Sequence, residues 1–162
     1  MSVIIADAGP LIGLARLQQL ELLRDIFGEV LITDTIHAEI LPSVDYADKL
    51  AIQAALDAGW LKVVNVEVGD WQPFYAGVDA GEGSAIYLAI QTQQALLILD
   101  DRAGRAEAKA RKLRLIGTAA VIGLAKLKGL IPEARPLLYA LRTSGYRLSD
   151  AVIQAVLDDI GE

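Results

Sequence analysis

Acidic side chains follow two of the apolar segments that resemble β-strands. Asp7 comes directly after VIIA (3–6), and Asp100 and Asp101 come directly after ALLIL (95–99). Open parallel sheets bind ligands beyond the carboxyl ends of their strands, so both positions lie at the edge where chemistry is usual. A single acid after a strand is commonly a turn residue or a helix cap. Two strands that end in acids favour a shared site.

Two further acids lie on segments with helical character. Glu82 stands in VDAGEGSAIYLA (78–89), where Asp79 and Glu82 have the spacing of a capping box. That interpretation explains Asp79 but not Gly81 and Gly83, which weaken a helix start and leave space around the carboxylate of Glu82. Glu39 lies in IHAEIL (36–41), and this pattern alone favours a solvent-facing acid.

A cluster of these carboxylates would require a cation. Neighbouring carboxylates repel each other, and some take up protons unless a positive charge lies between them. An oxygen-only ligand set favours Mg²⁺ or Mn²⁺ over zinc. The chain has no cysteine and one histidine, His37, with no serine placed beside it, so thiolate sites are excluded and a catalytic triad is unsupported.

The pattern of apolar residues predicts the elements that position these acids. Short apolar runs predict five strands, at 3–6, 30–33, 61–66, 95–99 and 114–117. Four of the runs are almost continuously apolar, whereas the third partly alternates and could lie at an edge of the sheet. Helical periodicity fills the intervals, including two short helices within 11–27. Alternating strands and helices predict an α/β fold, a three-layer α/β/α sandwich around a mostly parallel sheet of about five strands. Residues 1–162 are expected to form a single domain.

The distribution of charge suggests where a polyanion would bind. The net charge is −6, yet residues 102–147 hold eleven basic residues and two acids. Four basic residues directly after Asp100 and Asp101 are spaced 3, 4 and 3 apart, which places them on one face of a helix: Arg102, Arg105, Lys109 and Lys112. Phosphates would lie along this face, although a solvated helix face is the common alternative. Thr118, after the fifth predicted strand, would contact a phosphate or a metal-bound water, or else cap its helix.

Membrane insertion and export are not expected. No run reaches the roughly 18 apolar residues of a membrane span, and the first residues lack the basic region of a signal peptide. A cytoplasmic protein is therefore expected.

Five motifs in this order resemble the PIN-domain family, in particular the prokaryotic PIN-like toxins of VapBC-type toxin–antitoxin pairs. They are DAGPLIGLARL (7–17), HAEIL (37–41), DAGEGSAIYLA (79–89), LLILDDRAGRAEAKARKL (96–113) and Gly117-Thr118 before AKLKGLI (125–131). The resemblance implies a parallel sheet flanked by helices, an acid cluster that binds Mg²⁺ or Mn²⁺, and cleavage of RNA. The expected function is therefore that of a metal-dependent endoribonuclease.

The resemblance also assigns roles to particular residues. The implied catalytic acids are Asp7, Glu39, Glu82 and Asp100. The same four, together with Asp101, are the implied metal ligands, and Asp79 is a reserve candidate. The implied partners are an RNA substrate, a cognate antitoxin and a second copy of the chain. The apolar face of a homodimer would come from the helices within 11–27 or from AVIQAVL (151–157).

Two departures from the family pattern leave an alternative open. Glu82 stands where many members have an aspartate, and Ala8-Gly9-Pro10 replaces the Asn or Thr that commonly follows the first acid. The alternative is a weak or inactive PIN-like module that binds a protein partner or nucleic acid without cutting it.

Overall fold

Five parallel strands form the centre of the molecule, with helices flanking the sheet on both sides. The computed structural model describes residues 2–162. The strand order is β3-β2-β1-β4-β5, and the strands are β1 Val3–Ala6, β2 Val30–Thr33, β3 Leu61–Val64, β4 Ala95–Ile98 and β5 Arg114–Ile116. The predicted three-layer α/β/α architecture with a parallel five-stranded sheet is confirmed.

The register of the sheet brings the ends of β1 and β4 to the same level. Ala6 is paired with Ile98, and the amide of Asp7 donates a hydrogen bond of 3.0 Å to the carbonyl of Ile98. The residues that follow these two strands therefore leave the sheet at one place, as the sequence analysis required.

Nine helices connect and follow the strands within the described residues. They are α1 Ala8–Arg16, α2 Leu22–Phe27, α3 Asp34–Ser43, α4 Tyr46–Ala58, α5 Ala80–Gln91, α6 Arg102–Ala110, α7 Thr118–Leu127, α8 Arg135–Thr143 and α9 Asp150–Ile160. Several helices begin and end at residues with the usual capping chemistry. Thr33 and Ser149 cap α3 and α9 with their hydroxyls, and Gly59 follows α4 with a left-handed φ of 84°.

The two segments expected to supply a dimer face are largely used in the core. Leu11, Leu14 and Leu23 are completely buried, and so is Leu157 in α9. Val152 is the exposed apolar residue of AVIQAVL, at 45%. Because these leucines already pack inside one copy of the chain, they leave little apolar surface for a partner, and the homodimer face at 11–27 or 151–157 stays a prediction.

None of the helices described within residues 2–162 is long and apolar enough to cross a membrane.

Candidate active site

Asp7 directly follows the central strand β1, and helix capping does not explain its position. It occupies the position before α1, but its side chain makes no capping hydrogen bond. It is 8% exposed. Burial raises the pKa of Asp7 to about 7; the amide of Ala8 opposes this effect, and the charges of Asp79, Glu39 and Asp100 add to it. The helix-cap interpretation of this acid is therefore not supported, and its carboxylate remains available to a ligand.

Glu82 and Asp79 form the predicted capping box at the start of α5. The amide of Glu82 donates to Oδ1 of Asp79 at 2.8 Å, and the amide of Asp79 donates to Oε2 of Glu82 over a longer 3.4 Å. Glu82 is 6% exposed. Burial raises the pKa of Glu82 to about 8, with further contributions from the charges of Asp79, Asp7 and Asp101. A capping role alone does not explain why this carboxylate is buried and has a raised pKa.

Gly81 makes space for Glu39 rather than for Glu82. A Cβ atom at position 81 would lie 2.8 Å from both Cδ and Oε1 of Glu39, so a larger residue there would displace this half-buried carboxylate from the first turn of α5. Burial and the charge of Asp79 raise the pKa of Glu39, and the amide of Gly81 opposes them. The expectation that Gly81 opens space around Glu82 is therefore corrected. Gly83 faces Trp71 and Val78 instead of a carboxylate.

Asp100 is held on both of its oxygens. Its Oδ1 accepts from the amide of Thr118 at 2.9 Å, and its Oδ2 accepts from the hydroxyl of Thr118 at 2.5 Å and from the hydroxyl of Tyr146. Thr118 is completely buried. The predicted contact of Thr118 with substrate is therefore corrected, since its hydroxyl is directed at Asp100 and has no exposed surface. Its predicted capping role is also wrong, since Gly117 holds the capping position of α7.

Asp101 has a different environment from its neighbour. Its Oδ2 accepts from the amide of Gly104 at 3.0 Å, so it caps α6. It is exposed, but its charge still raises the pKa of Glu82. Asp100 faces the interior and Asp101 borders the site, which separates the roles of the two acids.

Tyr146 is a site residue that the sequence analysis missed. It lies between α8 and α9, and its ring packs on α1, where a Cβ atom at Gly13 would lie 2.9 Å from Cε2. Its hydroxyl would lie 3.4 Å from a Cβ atom at Gly9. Gly9 and Gly13 are four residues apart and share one helix face, which was the available signal. Burial, followed by the nearby charge of Asp100, raises the pKa of Tyr146, so its hydroxyl keeps the proton that it donates to Asp100.

The basic residues of α6 do not form one continuous face. Arg102, Arg105 and Lys109 lie in the helix, whereas Lys112 follows its end with a left-handed φ of 59°. Arg105 is half-buried, and its Nη1 donates to the carbonyl of Leu99 at 2.9 Å. The predicted four-residue stripe is therefore corrected. Arg102, Lys109 and Lys112 are exposed and have no ion-pair partner within residues 2–162, whereas Arg105 fastens α6 to the end of β4.

The acidic side chains are suitable ligands for a metal ion, but in this arrangement they are not placed to bind one together. Within residues 2–162, no group of three or more acid or histidine side chains is placed so that it could hold a metal ion. Part of the reason is that Asp100, Asp101 and Glu82 accept internal hydrogen bonds. The all-oxygen donor set nevertheless fits Mg²⁺ or Mn²⁺. Burial and neighbouring acids raise the pKa values of Asp7 and Glu82, and a nearby cation would oppose both effects.

A parallel sheet in the order β3-β2-β1-β4-β5, with flanking helices, defines a PIN-like fold. A model of the PIN-domain family DUF3368 matches residues 3–162, so the chain belongs to this family. PIN domains are generally nucleases, and they typically use divalent metal ions.

Comparison with solved structures supports the fold assignment. The chain is similar to a PilT N-terminus domain protein, SSO1118, from the hyperthermophilic archaeon Sulfolobus solfataricus P2. The TM-score is 0.54 and the sequence identity 21%, over 74% of this chain and 89% of that one. No curated protein sequence matches the chain significantly.

Proposed function

We propose that this protein is a divalent-metal-dependent endoribonuclease. The observation that carries the proposal is the pair of buried acids, Asp7 and Glu82, which come from different elements; burial raises the pKa of both, and the charge of Asp7 adds to the effect on Glu82. Burial disfavours the ionised form of each acid, and a bound cation would offset this cost. Such clusters of carboxylates with perturbed pKa values are characteristic of catalytic sites.

The acid cluster would hold the ion, and the helix beside it would hold the substrate. The ligands would be Asp7, Glu39, Glu82, Asp100 and Asp101. Rotation of Glu82 and Asp101 away from their internal hydrogen bonds would bring them towards the other acids. When bound, Mg²⁺ or Mn²⁺ would offset charge on the phosphoryl oxygens and make water more acidic. Thr118 and Tyr146 would keep the carboxylate of Asp100 in one orientation, and Arg102, Lys109 and Lys112 would attract the RNA phosphates.

We expect Mn²⁺ to raise the melting temperature and to be required for RNA cleavage. An ion that binds only the native state at about 100 times its dissociation constant adds about 2.7 kcal/mol, roughly 5–10 °C for a chain of this size. The shift should grow between pH 6 and 9, because Asp7 and Glu82, with pKa values of about 7 and 8, must lose protons to bind the ion. Differential scanning fluorimetry and a gel assay with labelled RNA measure the two effects.

Two variants make the metal test specific. Glu82→Gln removes one charge from the cluster and should greatly reduce the Mn²⁺ shift. Asp159→Asn removes an exposed acid of α9 and should leave the shift unchanged. A wild-type protein that shows neither a shift nor cleavage at pH 8.5 with millimolar Mn²⁺ would contradict the metal-dependent mechanism.

Charge reversal at Lys109 should weaken RNA binding and reduce its dependence on salt. Each phosphate contact with single-stranded nucleic acid contributes about 0.7 to the slope of log K against log salt. Lys109→Glu should therefore lower that slope by about one contact, measured by fluorescence anisotropy at several salt concentrations. Lys49→Glu makes the same charge change on α4 and serves as the control. Equal effects of both substitutions would show that net charge, rather than this side of α6, governs binding.

A second function has a specific observation in its favour. The described residues contain no ready-made group of three metal-binding side chains, and both oxygens of Asp100 are already engaged. A PIN-like module that binds RNA or a protein without cleaving it would fit this arrangement. RNA binding that is insensitive to Mn²⁺, without cleavage, is the result that would favour this alternative.

We further propose that the nuclease is the toxin of a VapBC-type pair, acting in the cytoplasm as a homodimer and inhibited by a cognate antitoxin. The family resemblance of the motifs supports this role. An acidic segment of an antitoxin would also find exposed, unpaired cations at Arg102, Lys109 and Lys112, next to the acid cluster.

A further inference from the structure

The connection between β3 and α5, residues 65–79, is an irregular loop that is fixed to α6 by a buried carboxylate. Glu107 of α6 is completely buried. Its Oε1 accepts from the amide of Tyr75 at 3.0 Å, and its Oε2 accepts from Nε of Arg111 at 2.9 Å. Nη2 of Arg111 in turn donates to the carbonyl of Gln72 at 3.2 Å. The loop is therefore held in one conformation although it has no regular secondary structure.

This fixed loop presents aromatic rings to solvent. The guanidinium carbon of Arg111 lies 3.7 Å from the ring centroid of Phe74 and 5.1 Å from that of Trp71. Phe74 is nevertheless 69% exposed and Tyr75 is 44% exposed. With Arg111 on one face, the ring of Phe74 leaves its other face open. A ring that is already oriented loses little conformational entropy when a ligand stacks on it.

The aromatic loop borders the acid cluster on the side opposite to the exposed cations. It runs directly into Asp79, and a Cβ atom at Gly77 would lie 3.0 Å from Cβ of Ala103 in the first turn of α6. Ala103 and Glu107 are four residues apart and share the helix face towards the loop. At 100° per residue, Arg102 and Lys109 lie on the other side of α6. The loop therefore reaches the start of α6 near Gly77, and its rings lie further along the side of this helix that faces away from the cations.

We propose that Phe74 and Tyr75 form a stacking surface for unpaired bases of single-stranded RNA bound at the acid cluster. This inference rests on the proposed function and specifies its substrate as RNA with unstacked bases. Residues 65–79 contain the acids Glu67, Asp70 and Asp79 and no lysine or arginine, so the loop repels phosphates. The phosphates therefore follow the exposed cations of α6, and the bases turn towards the rings. In double-helical RNA the base faces are stacked inside and cannot reach these rings.

The test measures binding of a labelled single strand and of the matching RNA duplex, in EDTA so that no cleavage occurs. Stacking on an aromatic side chain is worth about 1–3 kcal/mol per base, so Phe74→Ala should weaken single-strand binding by roughly 5- to 150-fold. Binding of the duplex should be nearly unchanged. Phe74→Trp should bind the single strand about as well as wild type does, because tryptophan keeps an aromatic face for stacking. Tyr46→Ala, which removes a ring that is 75% exposed on α4, is the control.

Additional measurements separate this proposal from folding effects and from the nuclease proposal. Phe74→Leu keeps an apolar contact with Arg111, so it stays folded if Phe74→Ala does not, and it should show the same loss of single-strand binding. Equal binding of single strands by wild type and Phe74→Leu would overturn the stacking surface, even if the protein cleaves RNA. Loss of single-strand binding in Phe74→Leu would support it, even if no protein in the set cleaves RNA. Binding of a protein partner that depends on Phe74, without any effect on RNA, would also overturn it.

Discussion

Replacement of Asp7 by asparagine is expected to abolish RNA cleavage and, without metal, to make the protein more stable at alkaline pH. Loss of a central charge that stabilises the transition state costs about 100-fold or more in rate. The stability gain follows from burial, which raises the pKa of Asp7 from 3.8 to about 7. Because the folded-state pKa lies above the unfolded value, Asp7 favours folding below about pH 4, and this contribution is lost as the pH rises through 7.

The size and pH dependence of this gain can be measured. A shift of about three pH units corresponds to at most about 4 kcal/mol when Asp7 is fully ionised, and asparagine should recover part of it. In EDTA, the melting temperature of Asp7→Asn should exceed that of wild type at pH 8.5, and the difference should shrink as the pH falls and disappear below about pH 4. Asp159→Asn should match wild type at both pH values.

Two results would contradict the assignment of Asp7. Cleavage at the wild-type rate by Asp7→Asn would remove this acid from the reaction. A lower melting temperature of the variant at pH 8.5 would show that the carboxylate stabilises the fold, as a conventional helix cap does.

Replacement of Arg111 by methionine is expected to cause a large loss of stability. It would leave the fully buried carboxylate of Glu107 without its ionic partner, and breaking a buried pair in this way costs about 3–5 kcal/mol. Burial alone would raise the pKa of Glu107, but the hydrogen bonds from Arg111 and from the amides of Tyr75 and Phe74 outweigh it and hold this pKa below its usual range. The stability that Glu107 contributes is therefore present above about pH 4.5 and is lost as the pH falls.

A double-mutant cycle checks this interpretation by chemical denaturation. Arg111→Met should be most destabilising at neutral pH and less so near pH 4, where Glu107 takes up a proton. Adding Glu107→Gln should recover much of the loss, because the amide oxygen can still accept from Tyr75 without a charge. Arg147→Met removes an exposed arginine and is the control. A change below about 1 kcal/mol in Arg111→Met would mean that water replaces the guanidinium.

The predicted strands were accurate where the sheet buries both faces and less so at its edge. The apolar runs before Asp7 and Asp100 belong to the interior strands β1 and β4. Because such strands are buried on both faces, their continuous hydrophobicity predicted them directly. The third strand was predicted to reach residue 66 but ends at Val64, because Thr33 is its last partner and β2 gives way there to α3. The apolar pattern of one strand does not show where its neighbouring strand ends.

The positions of the acids were predictable, but their surroundings were not. Asp7 and Asp100 follow strands, which the sequence shows. The influence of Asp79 on Asp7, Glu39 and Glu82 was underestimated, because its capping role already explained it. The hydroxyl of Tyr146 is directed at Asp100 by tertiary packing on α1; the spacing of Gly9 and Gly13 indicates a close contact on this helix but not the residue that makes it.

The hydrogen bond between Tyr146 and Asp100 has a consequence for biosynthesis. These residues are 46 positions apart, so Asp100 is translated well before its partner. During that interval the nascent polypeptide contains the strands and the acids but not the hydroxyl that orients one of them. The arrangement seen in the folded protein is therefore completed only late in translation, once the segment between α8 and α9 has been synthesised.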